Sequence, residues 1–217
     1  MDKFAHIRKV ILLHGIWMPE ATLWPLARHL AAAGFVPEIF CYSSIFSQSD
    51  ATVKRLLARL KGQPAHLLGH SLGGLIALRA LSAATPQQAG RIGRVLCLGT
   101  PLKGSRVAKS LARRRLSRHL LGGNARLLQD GCCDCPKGAE VGMIAGSLGL
   151  GIGRLLARFD EVNDGTVALS ETRPRWLACH CLLAVGHNGL LWSDKAAQQA
   201  VHFFRHGSFM SADLSAR

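Results

Sequence analysis

The sequence predicts an α/β fold, with a mainly parallel sheet of about six strands and helices on both faces. Three observations predict it. Short runs rich in Val, Ile and Leu alternate along the chain with longer segments of helical periodicity, the pattern of crossover units that build a parallel sheet. The runs are apolar throughout, as strands covered on both faces are. The chain has 217 residues and no Pro/Ser-rich linker, repeat or low-complexity tract, so residues 1–217 read as one domain with a full core.

Residues Ile7 to Leu13 form the first strand, ending at His14-Gly15. Ala21 to Ala33 reads as a helix, with Thr22 as cap, Pro25 in the first turn and Gly34 as stop. Phe35 to Tyr42 is the second strand. Ser49 or Asp50 caps a helix that carries Val53, Leu56, Leu57 and Leu60 at helical spacing. The run from Ala65 to Leu68 is the third strand and Leu72 to Ala84 the helix after it. Gly93 to Leu98 follows as a strand closed by Gly99-Thr100-Pro101, then a basic helical stretch from Gly104 to Leu128 broken at Gly122-Gly123. Val141 to Ala145 is a strand, Gly146 to Phe159 a helical connection and Asn163-Asp164-Gly165 a turn. Trp176 to Val185 is the last strand. Leu190 to His206 closes the chain as a helix, before a tail expected to fray.

Composition narrows the partners. Lys and Arg number 27 against 13 Asp and Glu, a formal net charge of +14, which favours anionic partners. Much of this charge lies in Lys103 to Arg126, including Arg113-Arg114-Arg115 and Arg118. Its plain reading is a solvated helix face. The stretch is nearly free of aromatic residues, so the stacking platforms of a single-strand nucleic-acid binder are missing, and contact with an anionic membrane surface is the better functional reading. The N-terminus has no apolar secretory stretch, and no window approaches a roughly 20-residue span, so a cytoplasmic protein is expected. Seven cysteines without a secretory signal argue against a disulfide framework. Cys132, Cys133 and Cys135 look metal-like, with Cys179-His180-Cys181 as the one possible second half of a zinc site. The latter lie in a strand, where neighbours point to opposite faces, so free thiols are expected and no metal.

The chemistry centres on Gly69-His70-Ser71-Leu72-Gly73-Gly74. Strand, tight turn and helix in that order make Gly-x-Ser-x-Gly a nucleophile elbow, in which Gly69 and Gly73 leave room for a strained serine. A serine hydroxyl needs a base within hydrogen-bond reach, and the base needs an orienting acid. Among the later histidines, His119, His202 and His206 fall in helices and His180 lies mid-strand. His187 alone follows a strand directly, in a Gly-flanked loop, and is taken as the base. Asp164 in its turn is taken as the acid, with Asp160 and Glu161 as rivals and an ordinary Asx-turn as the bland alternative. The developing oxyanion needs backbone N–H donors. Leu72 supplies one, and the loop after the first strand the other, through Ile16 or else Trp17. His14 and His70 read as structural. His14, Ser71, Asp164 and His187 all fall after expected strands, where open α/β sheets hold their ligands.

On these residues the chain resembles the small bacterial α/β-hydrolases of the lipase/esterase type. Five segments carry the resemblance: Leu12-Leu13-His14-Gly15, Gly69-His70-Ser71-Leu72-Gly73-Gly74, Gly99-Thr100-Pro101-Leu102-Lys103-Gly104-Ser105, Asn163-Asp164-Gly165-Thr166-Val167 and Gly186-His187-Asn188-Gly189-Leu190-Leu191. It implies a serine carboxylic-ester hydrolase with Ser71, Asp164 and His187 as triad, Ile16 and Leu72 as oxyanion donors, and no cofactor. An acyltransferase or thioesterase would use the same triad, and a non-catalytic binder of anionic lipid is the third reading. The chain starts almost at the His-Gly strand, without the first two strands of the larger fold, and has no length for a large lid. Residues 103–136 are the candidate cap-like insertion.

Overall fold

The computed structural model describes residues 2–113, 118–132, 134, 138–149, 159–177 and 179–211. Each apolar run forms a strand: β1 (Lys9–Leu13), β2 (Val36–Ile39), β3 (Ala65–His70), β4 (Ile92–Leu98), β5 (Val141–Gly146) and β6 (Cys179–Leu183). They make a six-stranded sheet in the order β2-β1-β3-β4-β5-β6, and every neighbouring pair is parallel. Among the described residues the α-helices are α1 (Trp24–Ala32), α2 (Ser49–Arg59), α3 (Leu72–Ala83), the short α4 (Pro86–Ala89), α5 (Arg106–Arg113), α6 (Ala125–Asp130) and α7 (Asp194–His206).

Strand periodicity explains the two helix layers. Successive strand side chains point to opposite faces. Ile11, Leu13, Leu67, Val95, Cys97 and Met143 therefore meet α2, α3, α5 and α6 on one face. Val10, Leu12, Leu68, Leu96, Leu98 and Ile144 meet α1 and α7 on the other. The central helix α3 is apolar nearly all round, as a helix sunk into the core must be, and Leu75, Ile76 and Leu78 are fully buried. Each such side chain contributes roughly 1.5–3 kcal/mol by leaving water.

The chain runs from β1 outward to β2 and then returns past β1 to β3. That reversal opens a crevice at the carboxyl ends of β1 and β3. Register sets the level of the loops there. Leu13 lies opposite Gly69, and His70 opposite Leu98, so His14-Gly15, Ser71 and Gly99 leave the sheet side by side.

Several boundaries differ from the sequence reading. Thr22 caps nothing: Glu20–Leu23 is a 3-10 turn and the Thr22 hydroxyl donates to Pro19 O at 2.7 Å. α1 then begins at Trp24, with Pro25 in its first turn. Ahead of α2 the capping position is Gln48, with no side-chain cap, and Asp50 sits in the first turn instead. The outer strands β2 and β6 are shorter than their apolar runs. The basic stretch does break at Gly122 (φ 53°), which kinks the chain inside the 3-10 segment Arg118–Asn124, between α5 and α6. Leu190 and Leu191 belong to a 3-10 turn, and α7 starts only where the Ser193 hydroxyl accepts Ala196 N–H at 3.2 Å. The tail does not fray at once: Gly207 (φ 72°) ends α7, and Met210 is tied to Gln199 by two hydrogen bonds. Cys133, Cys135, Arg114, Arg115 and most of the 146–159 connection lie outside the described residues. Among the described residues no helix is long and apolar enough to cross a membrane.

Candidate active site

Ser71 stands between β3 and α3 with φ 53° and ψ −118°. A non-glycine residue held there stores about 1–3 kcal/mol of backbone strain. The surroundings impose it. The Ser71 amide donates to Leu98 O at 2.8 Å, while strand and helix are both locked into the core. Such a turn closes only without side chains around it. A Cβ on Gly69 would fall inside the backbone of Gly73 and Gly74, one on Gly73 would strike Leu13 O, and one on Gly74 would strike the Thr100 hydroxyl. The doubled glycine thus has a reason the sequence reading missed. Gly74 admits Thr100, from the Gly99-Thr100-Pro101 segment, against the start of α3.

The loop after β1 is fixed from several sides. His14 is buried and stacks on Tyr42, with centroids 4.3 Å apart, while its Nε2 lies 3.1 Å from Tyr42 O. The Tyr42 hydroxyl donates to His14 O. Burial pushes the Tyr42 phenol up, so it remains a donor. Tyr42, the chain's only tyrosine, was the signal for this anchor and went unread. Trp17 has φ 58°, and its amide donates to the Ser44 hydroxyl at 3.1 Å. The alternative oxyanion donor is therefore already engaged. Among the described residues the Ile16 amide has no protein acceptor, and Leu72 is the first residue of α3, ahead of the intrahelical ladder. Gly15 lies against Ser71: a Cβ there would come within 3.2 Å of Ser71 Cβ.

On the far side of Ser71 lies a buried Asp–His hydrogen bond. Asp164 Oδ2 is 2.7 Å from His187 Nδ1. Asp164 Oδ1 accepts the Thr166 and Val167 amides at 2.9 and 2.7 Å. The carboxylate thus makes the expected turn and holds the imidazole at once. Burial alone would raise its pKa, but the attraction and hydrogen bond of His187, with the two amides, outweigh that and hold it below the usual carboxylate range. The His187 amide donates in turn to Asp164 O at 2.8 Å. The imidazole packs over Gly99, whose missing Cβ would sit 3.0 Å from His187 Nδ1. His70, next to Ser71 in sequence, lies 4.7 Å from His187 ring to ring. Among the described residues no hydrogen bond joins Ser71 to His187. Such bonds are often long without substrate and tighten when it binds.

Residues 10–206 match the model of the alpha/beta hydrolase family. The chain belongs to that family. A search of curated proteins finds no match. Among solved structures, this α/β-hydrolase is similar to the mature Bacillus licheniformis lipase BlEst2, with 19% identity and TM-score 0.73, covering 91% of this chain and 90% of that one. It is similar to the type II thioesterase BorB of the borrelidin biosynthetic cluster, with 16% identity, TM-score 0.62 and 94% of each chain. It is also similar to the Paleococcus ferrophilus monoacylglycerol lipase, with 17% identity, TM-score 0.59, and 94% of this chain and 97% of that one. At these identities the likeness is one of fold.

The rival residues of the hydrolase have other partners. Glu161 accepts from Ser170 and pairs with Arg106, and Asp160 is exposed. His180 lies 2.9 Å from the Thr172 hydroxyl, and His202 bonds Ser208 O. Glu171, which sequence reading passed over, is a buried carboxylate that binds the amides of Arg106 and Ala168 at 2.7 and 3.0 Å. With Lys103 N–H on Glu171 O at 2.9 Å, it ties the Asp164 turn to the loop after β4. Among the described residues no group of three or more His, Cys, Asp or Glu side chains could hold a metal ion.

Proposed function

We propose that this α/β-hydrolase cleaves carboxylic esters through an acyl-enzyme on Ser71. Ser71 Oγ attacks the ester carbonyl while His187 Nε2 takes its proton. The oxyanion is met by the Ile16 and Leu72 amides, and His187 returns the proton to the leaving alcohol. Water then repeats the sequence on the acyl-enzyme and frees the acid. Asp164 keeps the Nδ1 proton in place, so that Nε2 is the basic nitrogen. The observation that carries the reading is the buried Asp164–His187 hydrogen bond of 2.7 Å, whose imidazole packs against His70, the residue before a serine in elbow geometry.

The test uses purified protein with p-nitrophenyl acyl esters of short and long chain. Hydrolysis is expected from the wild type, and Ser71→Ala is expected to lose it. Equal activity of both proteins would overturn the reading. Adding alcohol or thioester acceptors and weighing the products separates an ester hydrolase from an acyltransferase or thioesterase.

A lipid ester at an anionic membrane surface suits the outer rim best. Trp17 Nε1 donates to Leu120 O at 2.8 Å, and Gly123 and Asn124 bond the 44–47 loop. Trp17, Phe46 and Leu120, which are 48%, 89% and 49% exposed, therefore stand together beside the site. Exposed Lys103, Lys109 and Arg113 lie on and beside α5, which packs against the 3-10 segment bearing Leu120. A cytoplasmic location is part of the same proposal.

A further inference from the structure

His70 is fully buried at the end of β3, directly before Ser71. Its Nε2 lies 3.1 Å from His187 O. A carbonyl only accepts, so Nε2 carries the proton and donates. Nδ1 is then a lone pair, with no hydrogen-bond partner among the described residues. The two rings lie 4.7 Å apart at 51°. The His187 backbone is thus gripped at both ends, its amide by Asp164 O and its carbonyl by His70, while Asp164 Oδ2 fixes its ring. The His187 loop leads directly into a 3-10 turn, Asn188–Leu191, and α7 begins only at Asp194.

We propose that His70 is a positioning residue, which ties the His187 loop to the elbow and keeps the imidazole aligned on Ser71. The donor persists through the range in which an imidazole base works. Burial, and next the charge of His187, push the His70 pKa down to about 3, so His70 does not protonate when His187 does. A second cation beside the imidazolium is avoided, and the Nε2–H donor to the His187 carbonyl is present in either protonation state. Because the base must stay within a fraction of an ångström of its proton donor, a small loop shift acts on kcat more than on KM.

The inference rests on His187 serving as the base. Its test compares His70→Phe, which keeps a ring and loses the donor, with His70→Gln, whose amide nitrogen is as many bonds from Cβ as Nε2 is. His70→Asn, whose amide stops short at the Nδ1 position, is the second loss variant should the Phe variant not fold. Circular dichroism checks folding. Expected are a kcat for ester hydrolysis lowered about tenfold or more in the loss variants with KM changed less than about twofold, and recovery to within about threefold in His70→Gln. The low-field proton NMR signal of His187 Nδ1–H, read in a Ser71→Ala background, should broaden or shift in the loss variants and return in His70→Gln. A folded loss variant with wild-type kcat and an unchanged signal would overturn the positioning role. If the wild type hydrolyses no ester while the signal responds as expected, the functional reading fails and the positioning role stands.

Discussion

Replacing Asp164 by Asn isolates the orienting group at nearly constant volume. The side chain has two jobs. Oδ1 accepts two amides, from Thr166 and Val167, and Oδ2 accepts the His187 Nδ1 proton. Asn has one oxygen to offer. Facing the oxygen to the two amides keeps two hydrogen bonds, whereas the flipped rotamer would set an NH2 against both N–H groups. The amide NH2 therefore turns to His187. Nδ1 must then accept, so the proton moves to Nε2, and Nε2 can no longer take one from Ser71. A base in the wrong tautomer lowers kcat by about 10³–10⁴, or about 4–5.5 kcal/mol of transition-state stabilisation at 1.36 kcal/mol per decade. Loss of one charge-assisted hydrogen bond costs about 1.5–3 kcal/mol of stability, a fall in melting temperature of roughly 3–12 °C for a chain of this length. Steady-state hydrolysis of a p-nitrophenyl ester gives kcat, and a thermal melt shows that the variant is folded. A folded Asp164→Asn variant retaining a tenth or more of wild-type kcat would refute the orienting role.

The elbow predicts that Gly69→Ala is destabilised by about 3 kcal/mol or fails to fold, because its Cβ overlaps backbone that cannot yield; a melt within about 2 °C of wild type would contradict this. His66 and His70 are buried and neutral, with pKa values lowered by burial to about 4 and about 3 from 6.5. The unfolded chain takes up their protons first, so stability falls as pH drops from 6.5 towards 4, by about 1.4 kcal/mol per pH unit for each group. Asp164, whose pKa is lowered, adds a loss only below its ordinary value of 3.8. A melting temperature flat between pH 6.5 and 4 would show that the histidines are not held neutral. At the rim, the double change Phe46→Ser and Leu120→Ser should weaken co-sedimentation with phosphatidylglycerol vesicles about tenfold or more. Added salt should weaken wild-type binding too, and vesicle binding indifferent to both would dismiss the rim as a lipid contact.

Much of this was legible because the signals were local. A strand is short and apolar, a turn needs glycine, and Asp164 and His187 each sit beside a glycine while Ser71 has one two positions away on either side. Parallel alternation then carries such loops to one edge, so sequence-distant residues meet there without any long-range signal. Asp164 was separable from Glu161 only through its turn, and it is the turn that aims Oδ2 at His187. What was not legible depends on contacts between segments. His70 read as merely structural because its partner, the His187 carbonyl, is 117 positions away. Ser44 and Tyr42 secure the loop after β1 from a second loop, and no period or spacing announces that. The expected caps failed at Thr22, where a 3-10 turn precedes α1, and at Ser49 or Asp50, where Gln48 holds the capping position of α2.

The reactivity of Ser71 tests the central claim most directly. A fluorophosphonate probe followed by peptide mass analysis should give one adduct, on Ser71, and none in Ser71→Ala, with loss of ester hydrolysis in step. An adduct on another residue, or hydrolysis that survives both the probe and Ser71→Ala, would contradict the account.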